Sequence, residues 1–249
     1  MAKNAKGVWL TSMRSMFGIG NRRVDAERTE HLPEPSALGP RLEKTVPEEQ
    51  VWFSDIFQDI GLVKMFTSDR VVDDLAAAAA SQEANFAGEP LGPEHFSKRI
   101  WRDRGKRIKR LPPISFCNGD WVLSEKAADV LRAHDLGGGA LYPVAMLQGD
   151  KKTPLEGEWF SWNFGNVKEA FVGEASRVKV NEYSDRIVSP PDNMQDGDLT
   201  VSSAALDGPD VWVDPTLKRS LFISGRLAAS LRKARLEKAF RLKRCGVEA

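Results

Sequence analysis

The residues of this sequence best suited to holding another charged molecule lie in two short segments. The first, residues 98–110, carries eight basic side chains and one acid around Trp101. Such a run could bind phosphates and stack a base on the indole ring. A charged run is more often a solvated helix face, here ended by Pro112-Pro113, so we expect no nucleic-acid binding. The residues of this nucleic-acid alternative are Arg102, Arg104, Arg107 and Arg110.

The second segment, residues 182–214, is acidic. It holds eight Asp or Glu residues against the single base Arg186, whereas the following 35 residues hold ten Lys or Arg and two Glu. The prolines at 190–191 and the Asp-Gly-Asp at 196–198 indicate a loop. An acidic surface loop attracts a basic partner and speeds its association, so this loop is our candidate interface. Its candidate partner-binding residues are Asp192, Asp196, Asp198, Asp207 and Asp210.

Residues typical of catalytic or metal sites are scarce. Ser176 and Ser230 each precede a lysine by three positions, but they stand in a strand pattern and a helix pattern without the companion motifs of a Ser-x-x-Lys nucleophile. Cys117 and Cys245 belong to no Cys or His cluster, and a thiolate would need a basic partner or a helix N-terminus. The acidic segment lacks the ligand order of a calcium loop. We therefore expect no enzyme activity, no cofactor and no metal.

The elements that position these segments are indicated by a unit that occurs three times. In each copy an apolar run ends in a serine, with a basic residue two positions later and a leucine seven positions later. The pairs are Ser68 with Leu75, Ser124 with Leu131, and Ser224 with Leu231. A serine at a helix N-terminus accepts a hydrogen bond from a free amide, and the leucine then lies on the core-facing stripe. We predict that each serine begins a helix and that each leucine is buried.

The remaining patterns predict an α+β fold, in which the strand-Ser-helix units pack on a mixed or antiparallel sheet that brings the copies together. Apolar residues between Trp52 and Ile60 recur with helical spacing, and Gly61 is a plausible stop. Gly137–Gly139 predicts the end of the second unit's helix. Residues 156–188 are rich in strand patterns.

Two regions are expected along the chain. Residues 1–50 are Pro-rich and charged after a short apolar patch, which predicts an N-terminal arm that is partly irregular. Residues 51–249 form the α+β domain, with a possible sub-division near 150. Val8-Trp9-Leu10 is too short for a secretory signal, and no apolar run reaches the ~20 residues that span a bilayer. With a net charge of +1 as well, we expect a cytoplasmic protein without a membrane partner.

The segment from Asp210 to Ser224, followed by Leu227 and Leu231, resembles the end of the eleventh-numbered family of immunity proteins from bacterial polymorphic toxin systems. Residues 124–131 are similar to an earlier unit of that family. The resemblance implies an immunity-type domain over residues 51–249 that neutralises a co-encoded toxin by stoichiometric occlusion. A nuclease is the favoured toxin, because the acidic loop could imitate the charge of phosphates.

Overall fold

The computed structural model describes residues 49–103, 107–181 and 184–248. Nearly all of the predicted arm, and Arg104, lie outside these residues. The α-helices of the described part are α1 (Asp69–Asp73), α2 (Leu75–Phe86), α3 (Glu125–Arg132) and α4 (Gly225–Lys233). Its strands are β1 (Val51–Ser54), β2 (Phe66–Ser68), β3 (Arg99–Arg102), β4 (Ile114–Cys117), β5 (Asp120–Ser124), β6 (Ala140–Pro143), β7 (Ala145–Leu147), β8 (Trp159–Asn163), β9 (Lys179–Asn181), β10 (Ser184–Ser189), β11 (Thr200–Ser202), β12 (Val211–Trp212), β13 (Phe222–Ser224), β14 (Leu242–Arg244) and β15 (Gly246–Glu248).

Helices and several small sheets confirm the α+β fold. Two four-stranded antiparallel sheets have the strand orders β12-β13-β1-β14 and β4-β5-β8-β6. A mixed sheet has the order β2-β3-β7, in which β3 is antiparallel to β2 and parallel to β7. The strand pairs β9-β10, antiparallel, and β11-β15, parallel, complete the set.

All three serines of the repeated unit lie at helix N-termini, as predicted. Ser68 begins α1 and accepts a hydrogen bond from the Val71 amide at 3.3 Å. Ser224 begins α4 and accepts one from the Leu227 amide at 3.2 Å. Ser124 begins α3 without such a bond from its side chain. The apolar run, the cap position and the helix therefore recur in all three copies, whereas the capping bond is made in the first and third.

The second and third units meet through their helices. Leu131 and Leu231 are fully buried in one core cluster, and α3 packs against α4. The expectation of a sheet that brings the copies together is wrong, because β2, β5 and β13 belong to three different sheets. Leu131 and Leu231 each lie one helical turn after a small buried side chain of the same core cluster, Ala127 or Ala228.

The first unit departs from the pattern, and the prediction of a buried Leu75 is wrong. The side chain is 66% exposed. Helix α1 has only five residues and stops at Asp74, which itself caps α2 by accepting a hydrogen bond from the Ala77 amide at 2.9 Å. Leu75 is therefore the first residue of a new helix rather than a member of the core-facing stripe of the old one.

Two further local predictions need correction. Residues 51–54 form β1, between β13 and β14, and two 3-10 turns follow at Asp55–Gln58 and Ile60–Leu62. A strand buried on both faces has a continuous apolar run, which spacing alone does not separate from a helix. Helix α3 ends at Arg132, before Gly137–Gly139. Those glycines instead let two backbones cross, since a Cβ on Gly138 would lie 2.6 Å from the Gly165 carbonyl oxygen.

Candidate partner-binding surfaces

Asp210, one of the acidic candidates, is not a surface residue: it is 1% exposed, and several hydrogen bonds converge on its carboxylate. Its carboxylate accepts hydrogen bonds from the Ser224 hydroxyl, the Arg226 guanidinium and, at 2.9 Å, the Asp135 amide. Burial alone would raise the pKa of Asp210, but these bonds outweigh it and hold that pKa below its usual value. The carboxylate fixes the start of α4 to the loop after α3.

The same carboxylate ends a Ser-His-Asp chain that sequence spacing did not reveal. The Ser230 hydroxyl lies 2.9 Å from His134 Nε2, and His134 Nδ1 lies 3.5 Å from Asp210 Oδ2. The order is that of a hydrolase triad, in which the acid orients the histidine and the histidine activates the serine. Here the serine lies inside α4, not on an exposed turn, and the acid is already bonded to Arg226 and Ser224. The chain connects α4 to the end of α3.

The other four acidic candidates lie at or near the surface, and most of them are already paired. Asp192 forms an ion pair with Lys179. Asp198 accepts from Arg177 Nε at 2.9 Å, and this pairing lowers the pKa of Asp198. One carboxylate oxygen of Asp196 accepts from the Arg244 amide at 2.9 Å. These contacts leave a weaker negative field than the sequence alone indicates.

Asp207 stands apart, in the turn after Ser203–Leu206, with its carboxylate exposed. Lys168 stabilises this turn, because its ammonium donates hydrogen bonds to the carbonyls of Asp207 and Pro209. The same ammonium lies 3.8 Å from the centre of the Trp212 ring. Burial lowers the pKa of Lys168 to about 8. The structure thus brings Asp196 and Asp198 into one loop and places Asp207 in another.

The basic segment is partly a core strand. Its first half forms β3, in the middle of the mixed sheet, and Trp101 is buried with the Lys151 ammonium 4.5 Å above its ring. The Trp101 indole is therefore covered and does not offer a free face on which a base could stack. Arg107 and Arg110 are exposed, Arg102 is half-buried, and Arg104 lies outside the described residues.

Other groups with reactive potential are enclosed. Burial raises the pKa of both thiols, Cys117 and Cys245, far above neutrality. Asp120 is buried beside Ser97, whose hydroxyl donates to it at 2.6 Å, and burial raises the pKa of this carboxyl. Among the residues that the structure describes, no group of three or more His, Cys, Asp or Glu could hold a metal ion. None of their helices is long and apolar enough to cross a membrane.

An apolar groove, absent from the sequence expectations, lies beside the turns that follow β1. It encloses about 220 Å³ and is lined by Phe57, Ile60, Val63, Phe86, Phe116 and Trp121. Its aromatic side is continuous, since the ring centres of Phe57 and Trp121 lie 5.3 Å apart and those of Phe116 and Trp121 lie 5.2 Å apart. Its outer edge is unusual, because Ile60 is 88% exposed and Val63 is 55% exposed. Large apolar side chains so exposed, side by side, indicate a contact surface.

One cation lines this groove, and a second lies in a cleft beside it. Arg219 lines it, and Lys218 and Arg219 together line a neighbouring cleft of about 330 Å³ that also contains Phe57 and Asp192. Within the described part of the chain neither cation's side chain forms a hydrogen bond or an ion pair. Of the acids nearby, Asp59 accepts a hydrogen bond from Arg241 at 3.2 Å, and Asp192 forms an ion pair with Lys179.

The cleft also contains a buried acceptor. Asp55 is 3% exposed, and its Oδ2 lies 3.4 Å from Arg241, while its Oδ1 has no hydrogen-bond partner in the described residues. Burial raises the pKa of Asp55 despite that arginine. In the sequence, the signal for this surface is Ile60, whose helical spacing predicts a buried residue but which is exposed at the start of a 3-10 turn.

Comparison with known proteins agrees with the resemblance found in the sequence. The model of the immunity protein family Imm11 matches residues 86–243. No curated protein matches the chain in sequence. Because the family match spans more than half of the 249 residues, the chain belongs to the immunity protein family Imm11.

Proposed function

We propose that this protein neutralises a co-encoded bacterial toxin by binding it in a fixed ratio and covering its catalytic cleft or substrate surface. Membership of an immunity family supports the proposal. The observation that carries it is that the potentially reactive side chains serve the fold. The hydrogen-bonded chain of Ser230, His134 and Asp210 joins two helices, and both cysteine thiols are buried. The surface instead presents exposed charged and apolar side chains, which are suited to binding another protein.

The acidic loops are one proposed part of the interface. Asp192, Asp196 and Asp207 are exposed, and Asp198 is partly exposed beside Arg177. Carboxylates at the edge of an interface mainly accelerate association and select the partner. Asp210 belongs to the same predicted set, but its role in the proposal is to hold the loop, since its carboxylate is enclosed.

A nuclease is the proposed toxin, and the cytoplasm the proposed place of encounter. A nuclease surface is basic because it binds phosphates, so exposed carboxylates of an inhibitor can occupy the same site. The charge pattern of the acidic segment supports this part of the proposal.

The test is a direct binding measurement with the C-terminal domain of the secreted protein encoded by the adjacent gene. The two purified proteins should elute as one complex from a sizing column, and co-expression should rescue growth. An unrelated toxin domain of similar charge is the control and should remain free. Separate elution of the cognate pair, with no rescue, would reject the proposal.

A further inference from the structure

The apolar groove is open in a way that the rest of the core is not. Phe57, Phe86 and Phe116 are only partly buried although they pack against the main core. Ile60 and Val63 extend the apolar surface outward, and Met65, 69% exposed, follows them along the chain. An apolar side chain inserted here would lose its water contact against aromatic rings, at roughly 25 cal/mol for each Å² removed from solvent.

The charges around the groove favour one kind of ligand over others. The acid that lines it, Asp59, has partners, since its carboxylate accepts hydrogen bonds from Arg241 and from the Gly61 amide. The side chains of Arg219, which lines the groove, and of Lys218, in the neighbouring cleft, have no partner among the residues described. The complementary ligand is therefore an apolar side chain accompanied by carboxylate, because a second cation would be repelled and an uncharged surface would leave the two cations unpaired.

The backbone that carries the two cations is held in place before any ligand binds. They lie at the tip of a turn closed by Asp214 and Ser220, both buried. The Ser220 hydroxyl accepts a hydrogen bond from the Asp214 amide at 2.7 Å and donates one to the Asp214 carbonyl at 3.0 Å. The Thr216 hydroxyl donates a hydrogen bond to the Asp214 carboxylate at 2.6 Å. Arg219 itself has a φ of 53°, a left-handed conformation that non-glycine residues rarely adopt. A rigid turn loses little entropy on binding, which favours affinity.

The groove also connects to the acidic loop. The neighbouring cleft shares Phe57 and Arg219 with the groove and includes Asp192. One surface thus runs from exposed Ile60, across the two cations, to the first of the acidic candidates.

We infer that the toxin docks on this surface, inserting an aliphatic or aromatic side chain beside Ile60 and Val63 and presenting a carboxylate to Lys218 and Arg219. The inference rests on the proposed function and adds the contact face and the chemistry of the toxin segment. The acidic loop then meets the toxin at the far end of the same surface, next to Asp192.

The test uses the full chain and the purified toxin domain from the adjacent gene. Ile60→Asp and Val63→Asp should each weaken binding about 30-fold or more, the effect typical of an anchor residue at an interface. The matched control is Leu75→Asp, which changes an equally exposed apolar residue at the other end of α2 from Phe86, about 16 Å along the helix axis. It should bind as the unaltered protein does.

The charge part of the inference has its own pair of variants. Arg219→Glu should slow association about tenfold at low salt and reduce its salt dependence, whereas Lys152→Glu, at an exposed site elsewhere, should change neither. Unaltered binding by Ile60→Asp, Val63→Asp and Arg219→Glu, with the unaltered protein still forming the complex, would overturn this contact face and leave the immunity proposal standing. If the unaltered protein also fails to bind, both proposals are rejected.

Discussion

The α3-α4 pair and the segment from Asp55 to Leu75 contain similar apolar patterns but bury them differently. In the helix pair, Leu131 and Leu231 belong to one core cluster and have no exposed surface. In the other segment, short turns and the five-residue α1 leave Ile60 and Leu75 open to solvent. An apolar residue at the right spacing thus becomes core only where a second element packs on it. Without one, it is surface available to a partner.

The sharpest test of this comparison is leucine truncation in each region. Leu131→Ala and Leu231→Ala should each lower the free energy of unfolding by about 2–5 kcal/mol, because they leave cavities in a packed core. Leu75→Ala should change it by less than about 0.5 kcal/mol, as exposed substitutions do. Urea unfolding measures all three. Equal losses in the three variants would contradict the division.

The next effect concerns the buried acid that holds α4. Asp210→Asn should lower the free energy of unfolding by about 2–3 kcal/mol, because the Ser224 and Arg226 hydrogen bonds lose their charged acceptor. Since the pKa of Asp210 is lowered in the folded protein, its contribution is present above about pH 4 and disappears as the pH falls through the folded value. The difference between variant and parent should therefore shrink in acid. A constant difference would contradict the assignment.

Removal of the capping serines should give smaller and unequal effects. Ser68→Ala should cost about 1 kcal/mol, since its hydroxyl accepts the Val71 amide. Ser124→Ala should cost distinctly less, because that side chain makes no capping bond. Thermal unfolding of the two variants would measure the contrast. Equal costs would mean that position alone, and not the bond, determines the contribution of the serine.

Asp120, at the start of β5, should change the pH dependence of stability in the opposite direction to Asp210. Burial raises the pKa of Asp120, so the folded protein takes up this proton before the unfolded chain as the pH falls toward the ordinary value near 4. Relative to Asp120→Asn, the unaltered protein should therefore gain stability as the pH is lowered from 7 to 4. Denaturant titrations at these two pH values measure the change. A relative loss of stability over this range would reverse the assignment.

The smallest expected effect is at the basic segment. A mobility-shift assay with DNA or RNA should show no salt-sensitive binding, because Trp101 is covered and β3 lies inside its sheet. Neutralising Arg102, Arg107 and Arg110 together should then change nothing. A salt-sensitive shift that this triple variant abolishes would favour the nucleic-acid alternative instead.

The sequence sufficed for features determined by neighbouring residues. The serine caps, the helices α3 and α4 and the strand-rich region after residue 156 follow from local spacing. The failures concern features determined by distant contacts. β1 has the spacing of a helix and is made a strand by β13 and β14 on either side. The exposure of Leu75 follows from a second cap, Asp74, after which a new helix begins at Leu75 itself.

The candidate site was less predictable than the fold for the same reason. An aspartate in an acidic run gives no sign of its partner, so nothing in the sequence separates buried Asp210 from exposed Asp207. The groove joins Phe57, Phe116 and Arg219, which come from distant parts of the chain. The Ser230, His134 and Asp210 chain likewise spans three segments. Only the packed structure brings such residues together.

The most direct test of stoichiometric neutralisation is a titration of the purified cognate toxin domain with this protein, measuring residual toxin activity. We predict that inhibition reaches completion at a fixed molar ratio, and that Ser230→Ala gives the same ratio because the Ser230, His134 and Asp210 chain serves to join helices. Inhibition of many toxin molecules by one molecule of this protein, lost in Ser230→Ala, would contradict occlusion and indicate catalysis.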